Sequence, residues 1–359
     1  MNDMSNAKQL WFPPVNATFS FVLLPRFSLL ALAGAIEPLR HANQALGKSH
    51  YRWQLFSEDG HSIQSSSGIE VSSTGSLQHV PLNSNVIVVG GADILAASSK
   101  SLMKWLRNAS VRAPLIGGLC TATRILAEAG LLDGHKATIH WEMVESLKET
   151  FRDVVVTDNL FEIDQNRLTC AGETACTDMM LNLISAAHGR EIAAMVAAQV
   201  LHARVRSSVE PQASLALRTG TRNIFVLKAI AIMESQIDNR LEIETIAQTV
   251  GCSRRQLERL FSEKVGTAPM THYRNISLDR ARQLLCETRM SHLEVAVACG
   301  FESSAAFSTA YRRRFGTSPT AEERMSRNSS ELASSRVDNV GIVAIESKAD
   351  IVGLDNLTT

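Results

Sequence analysis

Between residues 223 and 322 the chain repeats itself, and this limits the fold more than any other feature of the sequence. Leu257 and Phe307, Phe261 and Tyr311, Gly266 and Gly316, and Pro269 and Pro319 each stand 50 residues apart. Gly251 and Gly300 stand 49 apart, so the second copy carries one extra residue between its glycine and the next helix. In the first copy Ile243, Ile246, Ala247 and Val250 form an apolar stripe, Gly251 closes that helix, Ser253 caps the next, and Leu257, Leu260 and Phe261 pack it back. In the second, Val295, Ala296 and Cys299 form the stripe, Gly300 is the stop, Ser303 the cap, and Phe307, Ala310, Tyr311 and Phe315 the buried face. No run in this region alternates over a strand's length, so it is all-helical.

Two short helices joined by a glycine-containing turn make a helix-turn-helix, whose second helix fits the major groove of double-stranded DNA. The outward residues would then read it: Arg254, Arg255, Gln256 and Arg259 in the first copy, with Glu258 beside them. In the second they are Ser304, Ser308, Thr309 and Arg312, with Arg313 and Arg314 near for the backbone. Either copy alone could equally be a helical repeat with a solvated basic face. The duplication favours DNA, because a connecting helix over Thr271–Cys286 can hold two reading heads about one DNA turn apart. The formal net charge of zero does not oppose this, since it averages over regions: residues 222–324 carry 15 Lys+Arg against 12 Asp+Glu, and residues 1–221 carry 18 against 19.

The stretch Gly300–Arg324, GFESSAAFSTAYRRRFGTSPTAEER, resembles the signature of AraC/XylS-type transcription regulators through Gly300, Phe301, Ser303, Phe307, Ser308, Phe315, Gly316 and Pro319. The resemblance covers about 100 residues. The start of the second recognition helix departs from the family, with small Ser and Ala in place of aromatic or arginine-rich residues, which leaves its base preference open.

Ahead of this region the pattern changes. From Thr18 to about Ala187, short β-rich runs (Phe19–Leu24, Trp53–Phe56, Val86–Val89, Leu115–Ile116) alternate with helical ones (Leu29–Ala45, Ser101–Arg107, Thr121–Ala129, the last stopped by Gly130). That alternation predicts a doubly wound α/β domain with a mostly parallel, flavodoxin-like sheet. Ile192–Ala203 reads as one more helix. The expected organisation is an N-terminal extension (1–17), an α/β domain (18–205), a linker broken by Pro211 (206–222), a helical domain (223–324) and a serine-rich flexible tail (325–359) whose apolar run Val340–Ile345 is strand or nothing. At 45% hydrophobic and 20% charged residues, a wholly disordered, collagenous or coiled-coil chain is excluded. The six cysteines form no CxxC pair and suit buried thiols in a reducing cytoplasm, and no secretory signal or membrane span is read.

Within the α/β half, Pro114–Gly130 runs strand, glycine turn, Cys120, helix. Such an elbow presents a side chain at the carboxyl end of a sheet, beside a helix N-terminus that can lower a thiol pKa. Twenty residues on, ATIHW would put His140 at another strand end, facing that thiol. The expected pocket walls are Cys120, Thr121, His140 and Trp141, with Glu173 and Thr174 from the CAGETACTD turn that opens a further helix. Glu173 and Trp141 together would suit a cationic amine.

This elbow, with His140 and the Gly90–Gly91 turn, resembles the ThiJ/PfpI branch of the class I glutamine amidotransferase-like superfamily over roughly residues 18–190. That superfamily sets a carboxylate on its first helix to hydrogen-bond the cysteine; here the position is Ala31, and Glu37 lies two turns away. No catalytic residue is therefore assigned, and neither a cofactor nor a metal is expected. Cys120 is read first as a pocket-lining thiol, second as a redox or covalent sensor, third as a hydrolytic nucleophile. The two resemblances together imply a GlxA-type regulator, a group that includes members responding to arginine or quaternary ammonium compounds such as betaine or carnitine. They imply promoter DNA, a small amine or amino-acid effector and RNA polymerase as partners, a homodimer paired through the front domain, and activation of transcription. The alternatives are a thiol redox-sensing regulator acting through Cys120, and an amidase- or protease-like enzyme fused to a DNA-binding domain.

Overall fold

The computed structural model describes residues 17–212 and 215–325. The extension expected at 1–17, apart from Ala17, and the tail at 325–359, apart from Met325, lie outside the described residues, as does Val340–Ile345.

The front half contains β1 (Ala17–Leu23), α1 (Leu29–Leu46), β2 (Tyr51–Ser57), the short β3 (Ile63–Gln64), β4 (Glu70–Val71) and β5 (Gly75–Ser76), then β6 (Asn85–Val89), α2 (Lys100–Ser110), β7 (Ile116–Leu119) and α3 (Thr123–Glu128). It continues with β8 (Lys136–Ala137), α4 (Val144–Thr150), β9 (Val155–Val156), β10 (Phe161–Asp164), β11 (Arg167–Cys170), α5 (Ala175–His188) and α6 (Arg190–Gln199). Seven strands form one sheet in the order β10-β11-β7-β6-β1-β2-β5. All neighbours are parallel except β10 and β11, the antiparallel edge pair. Successive side chains of β1 and β6 enter opposite cores: Phe19, Phe21, Ile87 and Val89 pack with α1, α5 and α6, while Val22, Val86 and Val88 pack with α2 and α3. Both faces are covered, as the unbroken apolar runs of a parallel sheet require.

The helical half comprises α7 (Leu215–Thr219), α8 (Ile224–Ser235), α9 (Ile243–Val250), α10 (Arg254–Val265), α11 (Pro269–Glu287), α12 (His292–Ala298) and α13 (Ser304–Phe315). The repeat appears as two cores. Ile246, Val250, Leu257 and Phe261 close one with α8, and Val295, Phe307 and Tyr311 close the other. Helix α11 gives Tyr273 to the first and Leu278, Ala281 and Leu284 to the second, so one rigid rod of 19 residues, about 28 Å long, spaces the two units. Ser253 and Ser303 accept from the backbone N–H of Gln256 and Ala306, capping α10 and α13 as the repeat predicts.

Three expectations are corrected. ATIHW is no strand of the main sheet, because β8 is two residues long and pairs only with β9. The helix expected to reach Ala203 stops at Gln199, since Leu201 turns through φ +52° and brings His202 back towards α5. The β7 strand runs to Leu119 rather than ending at Ile116. Within the expected linker, residues 206–212 lie along the front domain. There Leu160 N–H donates to Ser208 O (2.8 Å), and Gln212 Nε2 donates to Thr138 Oγ1, Ile139 O and Asn159 O at 2.8–2.9 Å. No helix among the described residues is long and apolar enough to cross a membrane.

Candidate ligand site and nucleic-acid interface

Cys120 sits where β7 hands over to a single 3-10 turn, at φ +59°, an angle a side-chain-bearing residue holds only when its surroundings enforce it. Glycines do so here. A Cβ on Gly90 would stand 2.5 Å from Ala122 N, one on Gly118 2.9 Å from Thr123 N, and one on Gly172 2.6 Å from Cys120 Cβ. Thr121 completes the elbow by donating its hydroxyl to Gly91 O (2.7 Å), so its side chain braces the turn.

The elbow does not activate its thiol. Burial, and next the negative charge of Glu173, push Cys120 up to about 12, with Glu142 and Cys170 adding to the shift. This reverses the lowered pKa expected from the helix N-terminus. Cys170 and Cys176 lie beneath it, sulfur to sulfur 3.7 Å, both buried. Among the described residues no hydrogen bond joins His140 to the thiol; its Nδ1 lies 3.6 Å from Glu142 and its ring is tilted against Trp141.

The six expected pocket residues therefore divide. Glu173, in the left-handed region at φ +49°, accepts from the Ser28 hydroxyl (3.0 Å) and lines an open cleft of about 470 Å³ with Ser28, Ser66, Ser67 and Leu30. No cationic side chain pairs with Glu173 among the described residues. Thr174 lines a neighbouring cleft of about 450 Å³ with Glu37 and His202, and its hydroxyl accepts from Arg206 Nη2 (2.9 Å). Trp141 lies elsewhere, its ring 5.6 Å from the Arg218 guanidinium of α7. Trp141 thus lines neither of these two clefts, while the stretch before it stays against the main sheet, Thr138 N–H donating to Thr169 Oγ1 of β11 (2.9 Å).

Sequence reading missed Asp178. It is fully buried in α5 and accepts from Arg206 N (2.7 Å) and Nε (2.8 Å), with His202 Nε2 at 2.7 Å. A carboxylate followed directly by Met179 and Met180 was the available signal.

On the helical half, Arg254, Arg255, Gln256 and Arg259 are all exposed on α10. Arg254 pairs with Glu244 and with Glu258 (2.8 Å), and Arg259 with Glu263 (2.8 Å). Exposed pairs of this kind are worth about 0–1 kcal/mol and yield readily to phosphate. Arg255 makes no ion pair among the described residues. On α13, Thr309, Arg312 and Arg313 are exposed and Ser304 and Ser308 half-buried, while Arg314 is held bidentate by Asp279 at 2.6 Å. Thr309 and Arg313 also line a cleft of about 910 Å³ shared with Arg274 and Asn275 of α11.

Residues 246–325 match the helix-turn-helix domain family and residues 29–186 the DJ-1/PfpI family. The HTH-type transcriptional regulator CdhR of Pseudomonas aeruginosa is 41% identical over 305 residues, covering 85% of this chain and 90% of that protein. GbdR of the same species, also an HTH-type transcriptional regulator, is 38% identical over 316 residues, covering 87% and 86%. GlxA of Rhizobium meliloti, a third such regulator, is 36% identical over 312 residues, covering 85% and 95%.

Proposed function

Because this chain belongs to the GlxA-type family of transcriptional regulators, in which an AraC-type helix-turn-helix unit follows a DJ-1/PfpI domain, we propose that it couples a small nitrogenous metabolite to promoter binding. The carrying observation is Glu173, a carboxylate at the mouth of an open cleft whose described partner is a serine hydroxyl. A ligand ammonium, guanidinium or quaternary ammonium group supplies the missing countercharge, and the Ser66 and Ser67 hydroxyls are at hand for its polar remainder. The neutral, buried Cys120 favours a binding role for this half over turnover or thiol sensing.

Effector binding then sets how the two reading helices meet adjacent major grooves. Arg255, Gln256 and Arg312 read bases, Ser304, Ser308, Thr309 and Arg313 adjust to them, and Arg254 and Arg259 exchange their carboxylate partners for phosphates. The protein acts as an activator with RNA polymerase, in the cytoplasm, as a homodimer. Leu30 and Leu201, exposed apolar residues beside the front clefts, support pairing through that domain.

The test is a thermal-shift titration of the full chain with arginine, glycine betaine and carnitine. One of them should raise the unfolding midpoint with concentration, and Glu173→Gln should abolish the rise. Silence from all three, or an undiminished response in the variant, refutes the reading.

A further inference from the structure

The segment from His140 to Thr150 belongs to the sensory half and makes contact with the DNA-binding half. It follows Thr138, whose N–H donates to Thr169 Oγ1 of β11 (2.9 Å), and begins with His140 and Trp141; the charge of Glu142 on it helps raise the Cys120 thiol, as Glu173 does from the cleft side. One turn later α4 grips the spacer rod: Arg280 Nη2 of α11 lies 3.1 Å from Glu145 Oε2 and donates to Glu149 Oε1 at 3.3 Å. The Arg280 side chain is only 15% exposed, so its end of this pair of contacts is largely buried, while Glu145 and Glu149 keep one side towards water. Two turns along α11, Glu287 meets Ser146 of α4 and the charge of Arg124, which Glu128 (3.1 Å) and the Phe151 ring (5.5 Å) hold in place. At the other end, Trp141 covers Arg218, which pairs with Glu234 of α8 at 2.9 Å.

The side of α11 that is gripped matters. At 100° per residue, Arg280 and Glu287 share one face, whereas Thr271 and Leu278, which line the cleft facing Thr309 and Arg313, lie about 160–180° away. The front domain therefore holds the rod from behind and leaves the reading side uncovered. Residues 206–212 are strapped to the front domain, so the gripped helix rather than the linker sets how the two halves sit.

Resting on the effector reading above, we propose that the 140–150 segment is the transmission joint of this regulator: the Glu145–Arg280–Glu149 clamp fixes the pose of α11, and with it both reading heads, and a ligand in the front cleft acts by moving that segment.

The test uses the full chain and the variant carrying Glu145→Gln and Glu149→Gln, which alters neither the cleft nor the reading faces. Its far-ultraviolet circular dichroism and its affinity for a random-sequence 40-base-pair duplex should match the wild type within about twofold. Hydrogen exchange over 143–150 and 278–287 should be at least about tenfold faster, as expected of a locally released element. Pairing Arg280→Glu with Glu145→Lys and Glu149→Lys should restore slow exchange. Unchanged exchange in the Gln variant, or no rescue by charge reversal, overturns the joint. Where arginine, glycine betaine or carnitine raises the midpoint, it should alter α11 exchange in the wild type and not in the Gln variant; an equal change in both also overturns it. Failure of all three compounds to shift the wild type refutes the effector reading, while the ligand-free exchange comparison still decides whether the clamp exists.

Discussion

The two copies of the repeat place a glycine at the same step of the turn, yet the structure predicts very different responses to Gly→Ala. Gly251 has φ +87° and open space around a built Cβ, so Gly251→Ala costs only the left-handed backbone angle, about 1–2 kcal/mol. Gly300 has φ +68°, and its Cβ would stand 2.2 Å from Ile237 O. That carbonyl cannot easily retreat. The Ile237 side chain is buried in the second core, Gln236 O accepts from Tyr273 Oη (2.5 Å), and Arg240 is fixed to Cys299 O (3.0 Å) and over the Phe301 ring. Forcing about 1 Å of movement there resembles overpacking a core and adds roughly 1–3 kcal/mol, so Gly300→Ala should cost about 2–5 kcal/mol in all. For a helical unit of this size each kcal/mol lowers the midpoint by about 4–8 °C. The assay separates the halves conveniently, because Trp11, Trp53, Trp105 and Trp141 all precede the helical domain. Circular dichroism at 222 nm should show the helical transition falling at least twice as far in Gly300→Ala as in Gly251→Ala, with the tryptophan fluorescence transition shifting less. Equal losses in the two variants would refute the role given to the Ile237 carbonyl.

Three further outcomes follow from the same geometry. Burial pushes the Glu287 carboxyl up to about 7, with Glu142 adding to the rise and Ser146 and Arg124 opposing it. A raised acid contributes fully below its ordinary value of 4.5 and loses that contribution as pH climbs through 7, roughly 3 kcal/mol in total. Wild type should accordingly lose stability relative to Glu287→Gln between pH 5 and 8, read as urea midpoints; parallel pH profiles would contradict this. Cys120→Ser should leave effector response and DNA affinity within about twofold of wild type, and wild-type Cys120 should resist iodoacetamide at pH 8; rapid labelling would show an ionised thiol. Arg255→Ala and Arg312→Ala should each cost about 1–3 kcal/mol at a selected site and relax its sequence preference, whereas Arg259→Ala should weaken all duplexes alike and flatten the salt dependence by about one unit; sequence-independent losses at all three would remove the base contacts.

What could be read from the chain alone was set by local chemistry. The helix-turn-helix pairs were legible because caps, stops and stripes are written within about 25 residues: Ser253 and Ser303 cap α10 and α13, and Gly251 and Gly300 turn through positive φ. The central strands were legible because Val86–Val89 and Phe19–Leu24 are apolar on both faces, as a doubly covered sheet demands. ATIHW was over-read as a strand for a reason of the same kind: ATIH alternates like one, yet only Lys136–Ala137 pair, with β9, and Thr138 meets β11 through the Thr169 hydroxyl instead of a ladder bond. Asp178 and Arg280 were invisible because their meaning lies in partners 24 residues away or more, and spacing along the chain does not encode who faces whom.

The elbow shows how magnitudes, not motif, decide the chemistry. A helix N-terminus stabilises a nearby anion by about 0.3–1 kcal/mol when exposed and about 2 kcal/mol at best, and on that count alone Cys120 would be an activated thiol. Opposing it, burial and the Glu173 charge raise the thiol from 9 to about 12, a cost of roughly 4 kcal/mol for the thiolate, and that figure already includes the favourable hydrogen bond from Thr121. The larger effect wins, so the strained, glycine-braced elbow holds its thiol neutral. The carboxylate that helps keep the thiol neutral is also the group left without a cation at the cleft. If a cationic ligand docks there, it removes part of the charge that raises Cys120. Ligand binding should then make the thiol easier to ionise, a sign opposite to that expected if the ligand merely buried the sulfur more deeply. The rate of Cys120 alkylation with and without saturating ligand reads that sign directly: acceleration supports a countercharge at Glu173, and simple protection would show that the ligand sits over the sulfur instead.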